Sequence, residues 1–264
     1  MKTGFIGNGN MGGAILGGLL KNKLAAPTDI TVSDINEEGL AKTNEAYGVC
    51  VSKDNKATAQ GADILFLAVK PNVLYKVIEE IKDSVDENTL IISIAAGQSI
   101  AKIEEAFNRE IKLVRVMPNT PALVGEAMSG IAVNKNVTEK ECEIVLNIFN
   151  SLGKGEIVEE YMMDAVTAVS GSSPAYVFML IEAMADAAVK GGIPRSKAYT
   201  FAAQAVLGSA KMVLDTGKHP GELKDMVCSP AGTTIDAVAV LEEEGFRSSV
   251  IKAMDACIEK SKSM

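Results

Sequence analysis

The 264-residue sequence has no run of basic residues and only four cysteines, and both scarcities exclude classes of protein. Its formal net charge is −8, with acidic residues spread along the chain, so no basic segment could release counterions from a nucleic acid. Cys50, Cys142, Cys228 and Cys257 lie far apart in sequence, which indicates neither a metal site nor a disulfide framework. We therefore expect no nucleic-acid partner, no bound metal and a cytoplasmic location.

A membrane-spanning segment is also lacking. Residues 3–20 and 165–181 carry no charge, but the first stretch is rich in glycine and contains Asn8 and Asn10. The second has Ser170, Gly171, Ser172, Ser173 and Pro174 in its middle, which would leave polar backbone groups exposed to lipid. We expect both stretches to be buried in protein, without membrane association.

The first 34 residues carry the strongest positive signal. An apolar strand over Lys2–Ile6 runs into Gly7-Asn8-Gly9-Asn10-Met11-Gly12, and a helix follows from about Gly13. In a dinucleotide-binding unit the three glycines allow the tight turn, the approach of a pyrophosphate and the packing of helix on strand. A second strand, Ile30–Ser33, ends at Asp34, where a carboxylate can accept hydrogen bonds from the adenosine ribose. The alternative is a glycine-rich turn without a ligand, but the strand, turn, helix, strand and acid in this order favour a nucleotide site.

Short apolar runs alternate with helix-like stretches as far as about residue 155. The predicted strands are Ile64–Val69, Leu90–Ala95, Leu113–Val116 and Ile131–Val133, and the clearest helices between them are Val73–Ile81 and Ile100–Phe107. This alternation predicts a Rossmann-type, doubly wound parallel sheet. Ligands of such sheets bind at the carboxyl ends of strands, which would bring the glycine turn, residues 68–71 and residues 95–97 around one crevice. Taken singly, the last two segments are also typical of an ordinary strand end and an ordinary turn.

After about Glu160 the sequence predicts helices alone: Pro174–Val189, Pro194–Thr216, Pro220–Met226, Pro230–Glu243 and Phe246–Lys260, with Ser173 and Ser229 as N-caps. Residues 176–189 are apolar around most of the helix, so one small domain cannot bury them. We expect a Rossmann domain over residues 1–160 and an all-α dimerisation and substrate domain over residues 161–264. The expected assembly is a homodimer with interleaved helices; the alternative is a monomer with an unusually large helical core.

The sequence is also poor in candidate bases. His219 is the only histidine, and the predicted helix over residues 174–189 carries no lysine or arginine. Oxidation of a hydroxyl usually needs a strong base, whereas a protonated imine is already electrophilic and needs mainly orientation and a hydrogen bond to nitrogen. The segment Ser229-Pro230-Ala231-Gly232-Thr233-Thr234 would supply backbone amides and hydroxyls for a small carboxylate, or would form a capped helix and nothing more. This inventory favours reduction of a C=N bond.

Five segments together resemble the pyrroline-5-carboxylate reductase family: residues 5–12, 67–71, 117–121, 170–176 and 220–234. The resemblance covers essentially the whole chain. It implies reduction of 1-pyrroline-5-carboxylate to L-proline by NADPH or NADH, the last step of proline biosynthesis. It also implies a helical dimerisation domain after the Rossmann domain, and the assembly of five dimers into a decamer.

By position, the resemblance implies that the backbone of Gly232, Thr233 and Thr234 holds the substrate carboxylate and that the Thr234 hydroxyl bonds the ring nitrogen. Glu160 matches a position near the product, although a solvated loop charge is an equal alternative. Together with Gly12 and Asp34 from the glycine motif, the expected cofactor residues are Ile6, Gly7, Asn8, Gly9, Asn10, Met11, Asn55, Ala68, Val69, Lys70, Pro71, Ile94, Ala95 and Ala96.

Two departures from the family pattern stand out. Many members carry small or polar residues around position 34, whereas this chain has Asp34, Glu37 and Glu38 with no arginine nearby in sequence. These carboxylates would repel a 2′-phosphate, so we expect NADH to be used at least as well as NADPH. The second departure is Ala231, where glycine is frequent.

Two other functions share parts of this pattern. A β-hydroxyacid dehydrogenase-like protein has the same domain plan but would need a catalytic lysine on the helix after Gly171, which residues 174–189 lack. A cofactor-binding regulator without turnover would not need residues 229–234, which are intact here. Both are less well supported than imine reduction.

Overall fold

The computed structural model describes residues 1–263. The first part of the chain alternates strands with helices: β1 Thr3–Ile6, α1 Asn10–Lys21, β2 Ile30–Ser33, α2 Glu37–Tyr47, β3 Cys50–Ser52, α3 Asn55–Ala59, β4 Ile64–Leu67, α4 Pro71–Ile81, β5 Leu90–Ser93, α5 Ile100–Phe107, β6 Lys112–Met117, β7 Ala127–Val133, α6 Glu139–Asn150 and β8 Gly153–Ile157. Helices alone follow: α7 Met163–Val166, α8 Ser173–Lys190, α9 Arg195–Thr216, α10 Pro220–Val227, α11 Thr233–Glu243 and α12 Phe246–Lys262.

The eight strands form one sheet in the order β3-β2-β1-β4-β5-β6-β7-β8. The order reverses between β1 and β4, which is the switch point where the loops at the carboxyl ends of the strands diverge and leave a crevice. The central strands are buried on both faces, and the rings of Phe5 on β1 and Phe66 on β4 stack with centroids 4.5 Å apart. The predicted Rossmann-type sheet followed by helices is confirmed.

Neighbouring strands are parallel except for β6 and β7, which pair antiparallel. Only a short helical turn, Thr120–Val124, connects these two strands, and no crossover helix intervenes to bring the chain back to the same end of the sheet. The chain therefore reverses direction, and α6 then restores parallel pairing between β7 and β8. This local exception leaves the site-forming strands β1, β2, β4 and β5 parallel.

The helical part corrects two predicted helix starts. A π-helical turn, Thr167–Ser172, runs directly into α8, so Ser173 lies inside a continuous helix and is not an N-cap. The predicted start at Pro230 is also wrong, because α11 begins at Thr233 with Gly232 as its N-cap. In both places a serine-proline pair looked like a capped helix start.

The chain forms two compact units. The first unit consists of residues 1–172 together with the described residues from Cys257 onward. The second unit consists of Ser173–Ala256. In the first unit, Ser172 and Ser261 tie α12 to the turn before α8: the Ser172 Oγ lies 3.2 Å from the Cys257 Sγ, and the Ser261 hydroxyl donates to Asp164 at 2.6 Å. The domain boundary expected after residue 160 stays a prediction.

Candidate active site

The glycine turn follows β1 at the switch point of the sheet. Gly7 has φ +104°, and a Cβ there would lie 2.5 Å from the carbonyl oxygen of Ala68, so no other residue fits this turn between β1 and β4. Gly12 allows α1 to pack closely, since a Cβ there would lie 2.8 Å from the Gly7 carbonyl oxygen. A Cβ at Gly9 would meet nothing within 4 Å, and Gly9 is the N-cap of α1 without a side-chain cap. The first amides of α1 thus border open space, which fits a pyrophosphate.

Asp34 holds the turn from the end of β2. Its Oδ2 accepts the backbone N–H of Asn8 at 2.6 Å, and its Oδ1 accepts the N–H of Asn36 at 2.8 Å. The Asn8 side chain in turn donates to the Thr43 hydroxyl on α2 at 2.8 Å. The carboxylate therefore has a structural role in addition to the predicted one, and sequence analysis did not identify it.

Asn55 also lies at this edge of the sheet. It is the first residue of α3, and its Oδ1 accepts the Ser33 hydroxyl at the end of β2 at 2.8 Å. Its amide nitrogen donates to Glu80 on α4 at 3.0 Å. Asn55 is thus fixed from both sides beside the end of β2.

The loops after β4 and β5 complete the edge. The N–H of Ala68 donates to Ile6 at 2.8 Å, and the N–H of Ile94 donates to Leu67 at 3.2 Å, so these loops leave the sheet next to the glycine turn. Lys70 is the N-cap of α4 and Pro71 its first residue, where the missing N–H of proline costs nothing. The structure therefore brings the expected cofactor residues to the carboxyl ends of β1, β2, β4 and β5.

Glu160 lies just after β8 and is not a freely solvated loop charge. Its Oε1 accepts the N–H of Ile100, the first residue of α5, at 2.7 Å, and Nη1 of Arg115 at 3.0 Å. Arg115 is 8% exposed on β6. Sequence analysis missed this arginine, although a charged residue within the apolar run Leu113–Met117 is itself a signal, because a buried charge needs a partner.

In the second unit, the segment from Ser229 to Gly232 forms a turn rather than the first turn of a helix. The N–H of Gly232 donates to the Ser229 carbonyl at 3.0 Å, Pro230 has its φ fixed by its ring, and Ala231 has φ +54°. These features define a type II turn with Ala231 at the position that favours glycine. Thr233 and Thr234 then open α11, whose first N–H groups have no side-chain cap. Such a helix start can hold a carboxylate.

His219 has a local structural role. Its Nδ1 accepts the N–H of Gly221 at 3.1 Å and so caps α10. This ring nitrogen is therefore engaged in the cap. Within the part of the chain that the structure describes, no group of His, Cys, Asp and Glu side chains is arranged to hold a metal ion. Among the helices of residues 1–263, none is both long and apolar enough to cross a membrane.

A switch-point crevice with a glycine turn at a helix start defines a dinucleotide-binding protein with a Rossmann-type domain. Accordingly, residues 2–97 match the family described as NADP oxidoreductase, coenzyme F420-dependent, and residues 160–264 match the family described as pyrroline-5-carboxylate reductase dimerisation. The pyrroline-5-carboxylate reductase of Escherichia coli K12 is 53% identical over 263 residues, which cover 100% of this chain and 98% of that protein. The chain belongs to the pyrroline-5-carboxylate reductase family.

Other relatives and solved structures agree. The pyrroline-5-carboxylate reductase of Methanosarcina acetivorans is 48% identical over 100% of this chain and 97% of that protein. The solved structure from Coxiella burnetii has a TM-score of 0.93 and 36% identity, covering 99% of this chain and 97% of that one. The Plasmodium falciparum pyrroline carboxylate reductase, solved with NADP bound, has a TM-score of 0.91 and 35% identity over 100% of this chain and 97% of that one. The protein is thus an NAD(P)H-dependent oxidoreductase with a dimerisation domain.

Proposed function

We propose that this protein reduces 1-pyrroline-5-carboxylate to L-proline with a hydride from NADH or NADPH, as the last step of proline biosynthesis in the cytoplasm. One observation carries the proposal: the chain that holds the glycine turn at its switch point also holds an uncapped helix start at Gly232, inside the segment that matches the family. The first feature suits a dinucleotide and the second suits the carboxylate of a small substrate.

The proposed roles follow from the groups available at α11. The N–H groups of Thr233 and Thr234 receive the substrate carboxylate, and the positive end of the helix dipole favours its charge. The N–H of Gly232 already donates to the Ser229 carbonyl, so the backbone of Gly232 contributes by shaping the turn at which the carboxylate binds. The Thr234 hydroxyl forms a hydrogen bond with the ring nitrogen and so orients the C=N bond. When bound, the reduced nicotinamide supplies a hydride to C5. The ring nitrogen carries one proton in the iminium ion and keeps it in the amine, so no strong base is required.

The cofactor would be held at the edge formed by β1, β2, β4 and β5. The open space at Gly9 and the free amides of α1 suit the pyrophosphate, and Asp34 and Asn55 stand at the end of β2, where the adenosine ribose would lie. The loops after β4 and β5 would contact the nicotinamide half.

The exposed apolar side chains of the second unit support a homodimer. Phe178, Met179, Phe201 and Leu214 are each more than 60% exposed in the single chain. Large apolar side chains exposed in this number on the helices of one unit are typical of a protein interface. Light scattering of the native protein should give at least twice the monomer mass, and a mass of ten chains would identify the decamer that the resemblance implies.

The reaction is tested by adding racemic 1-pyrroline-5-carboxylate to purified protein with NADH or NADPH and following the near-ultraviolet absorbance of the reduced cofactor. Proline should form, and Thr234→Ala should lower kcat/KM by about 10²-fold or more, a typical effect of removing one positioned hydrogen-bonding group. Thr216→Ala is the matched control, since its hydroxyl donates to the Met212 carbonyl and accepts the N–H of Lys218, both at the end of α9. Cofactor binding without proline formation would contradict the proposal and favour a regulator.

A further inference from the structure

Glu160 connects the turn after β8 to α5 and β6 through one carboxylate oxygen. Its Oε1 accepts the N–H of Ile100 at the start of α5 and Nη1 of Arg115 on β6, and Glu160 itself opens the short helical turn after β8. The resemblance implies a position near the product for this residue. Both of these hydrogen bonds, however, are directed to the scaffold of the sheet domain.

The loop that Glu160 holds is one of those expected to contact the cofactor. It leaves β5 at Ile94, whose N–H is anchored on Leu67, and it ends where α5 begins at Ile100. Near that end, Gln98 is 5% exposed and accepts the Tyr75 hydroxyl at 2.5 Å. Ala95 and Ala96 therefore lie between one fixed point at the strand and another at the helix start, and Glu160 helps to define the second.

Electrostatics fix the Glu160 carboxylate in this place. The start of α5 carries the positive end of a helix dipole, and Arg115 brings a full positive charge that is almost completely buried. The Glu160 side chain is 35% exposed, but its removal would leave the buried Arg115 charge without this partner, which is costly in a protein interior. The carboxylate is thus held against α5, and α5 is held in register with β6.

We infer that Glu160 is a positioning residue for the cofactor: through α5 it sets the position of the loop of residues 94–99, and it is not a direct ligand of the substrate. The inference rests on the proposed function only in that this loop contacts the nicotinamide. It assigns the first residue of the dimerisation family match to cofactor binding in the sheet domain.

The test measures NADH binding by calorimetry without substrate, and then the steady-state constants. Glu160→Ala should raise the Kd for NADH about fivefold or more, whereas Glu160→Gln, which keeps an acceptor oxygen for Ile100, should recover most of the affinity. The KM for 1-pyrroline-5-carboxylate at saturating NADH should stay within about twofold of wild type. A fivefold change corresponds to roughly 1 kcal/mol.

Glu141→Ala is the matched control. Glu141 also pairs with a cation on β6, Lys112 at 2.7 Å, and also caps a helix, but at the first residue of that strand. The Glu141→Ala variant should therefore have a lower melting temperature but an unchanged Kd for NADH. If Glu160→Ala does not fold, Ser99→Ala serves instead, because Ser99 caps the same start of α5 through the N–H of Lys102; it should weaken NADH binding as well.

A rise in the KM for 1-pyrroline-5-carboxylate with an unchanged Kd for NADH would overturn the inference and make Glu160 a substrate ligand. Unchanged values of both constants would overturn it too. Because NADH binding is measured without turnover, a wild-type protein that binds NADH but forms no proline would refute the proposed function and leave this inference standing.

Discussion

The Asp34 carboxylate accepts a 2.6 Å hydrogen bond from the backbone N–H of Asn8, between the first two glycines of the turn. Each carboxylate oxygen has two lone pairs, so Asp34 can hold the turn and still accept a ribose hydroxyl. The residue predicted to set cofactor preference therefore also holds the backbone of the glycine turn. Its neighbours are already paired, Glu37 with Lys53 and Glu38 with Lys42, whereas Asp34 makes no ion pair within the described residues.

Replacing Asp34 should therefore shift the cofactor preference. Asp34→Ser should lower the KM for NADPH and raise that for NADH, changing their ratio by about tenfold, or roughly 1.4 kcal/mol, because the repulsion of a 2′-phosphate is removed. Asp34→Asn removes the charge but keeps one oxygen for Asn8, so it separates the two roles. Glu38→Gln, whose carboxylate is paired and exposed, should change the ratio little. Unchanged constants in Asp34→Ser would refute the role of this carboxylate.

The backbone conformation of Ala231 leads to a second prediction. Its φ of +54° costs an L-residue with a side chain about 1 kcal/mol or more, and a β-branched residue more than that. Ala231→Gly should keep the KM for 1-pyrroline-5-carboxylate at or below the wild-type value, whereas Ala231→Val should raise it by at least about fivefold, because the turn before Gly232 would be distorted. Steady-state kinetics at saturating cofactor measures both.

The control for Ala231 is Lys23→Gly. Lys23 has φ +55° at the end of α1 and is exposed, so its replacement relieves similar strain in the other unit. Lys23→Gly should change thermal stability in the same direction as Ala231→Gly, but it should leave the KM for 1-pyrroline-5-carboxylate unaltered. An unchanged KM in Ala231→Val would show that the turn does not position the substrate.

Regular patterns made the architecture predictable from sequence. The glycine motif and the buried runs identified β1, β2, β4, β5, β6 and the end of β7, since strands covered on both faces are apolar throughout. The edge strands β3 and β8 were missed because each is partly exposed, and Lys154 and Glu156 interrupt any apolar run in β8. The antiparallel pairing of β7 was missed because it depends on the length of a connection.

The site was less predictable where it depends on contacts distant in sequence. Glu160 contacts Arg115 and Ile100 across 45 and 60 residues, and no local pattern specifies such a pairing. The turn at Ser229–Gly232 was mistaken for a helix start because proline favours both the first helical position and the second position of a type II turn. The substrate and cofactor roles of individual residues stay predictions.

A buried serine allows a third prediction. Ser129 on β7 is fully buried, and its hydroxyl has no hydrogen-bond partner among residues 1–263. Ser129→Ala should leave the free energy of unfolding unchanged or raise it by up to about 1 kcal/mol, because an unsatisfied polar group is removed. Ser33→Ala, at an equally buried serine that donates to Asn55, should instead lower it by about 1 kcal/mol. Urea unfolding measures both, and a clear loss in Ser129→Ala would reveal a partner for its hydroxyl.

The Glu141 carboxylate gives the stability a predictable pH dependence. Burial opposes its ionisation, but hydrogen bonds from Lys112 and Thr138 together outweigh burial and hold its pKa below the ordinary value of 4.5. A carboxyl group whose pKa is lowered by folding stabilises the protein above its unfolded pKa, and this contribution disappears as the pH falls through the folded value. Glu141→Gln should therefore be less stable than wild type near neutral pH, and the difference should shrink steadily below about pH 5. Urea unfolding across this range tests the sign, since parallel curves for the two proteins would mean that the Lys112–Glu141 pair contributes no pH-dependent stability.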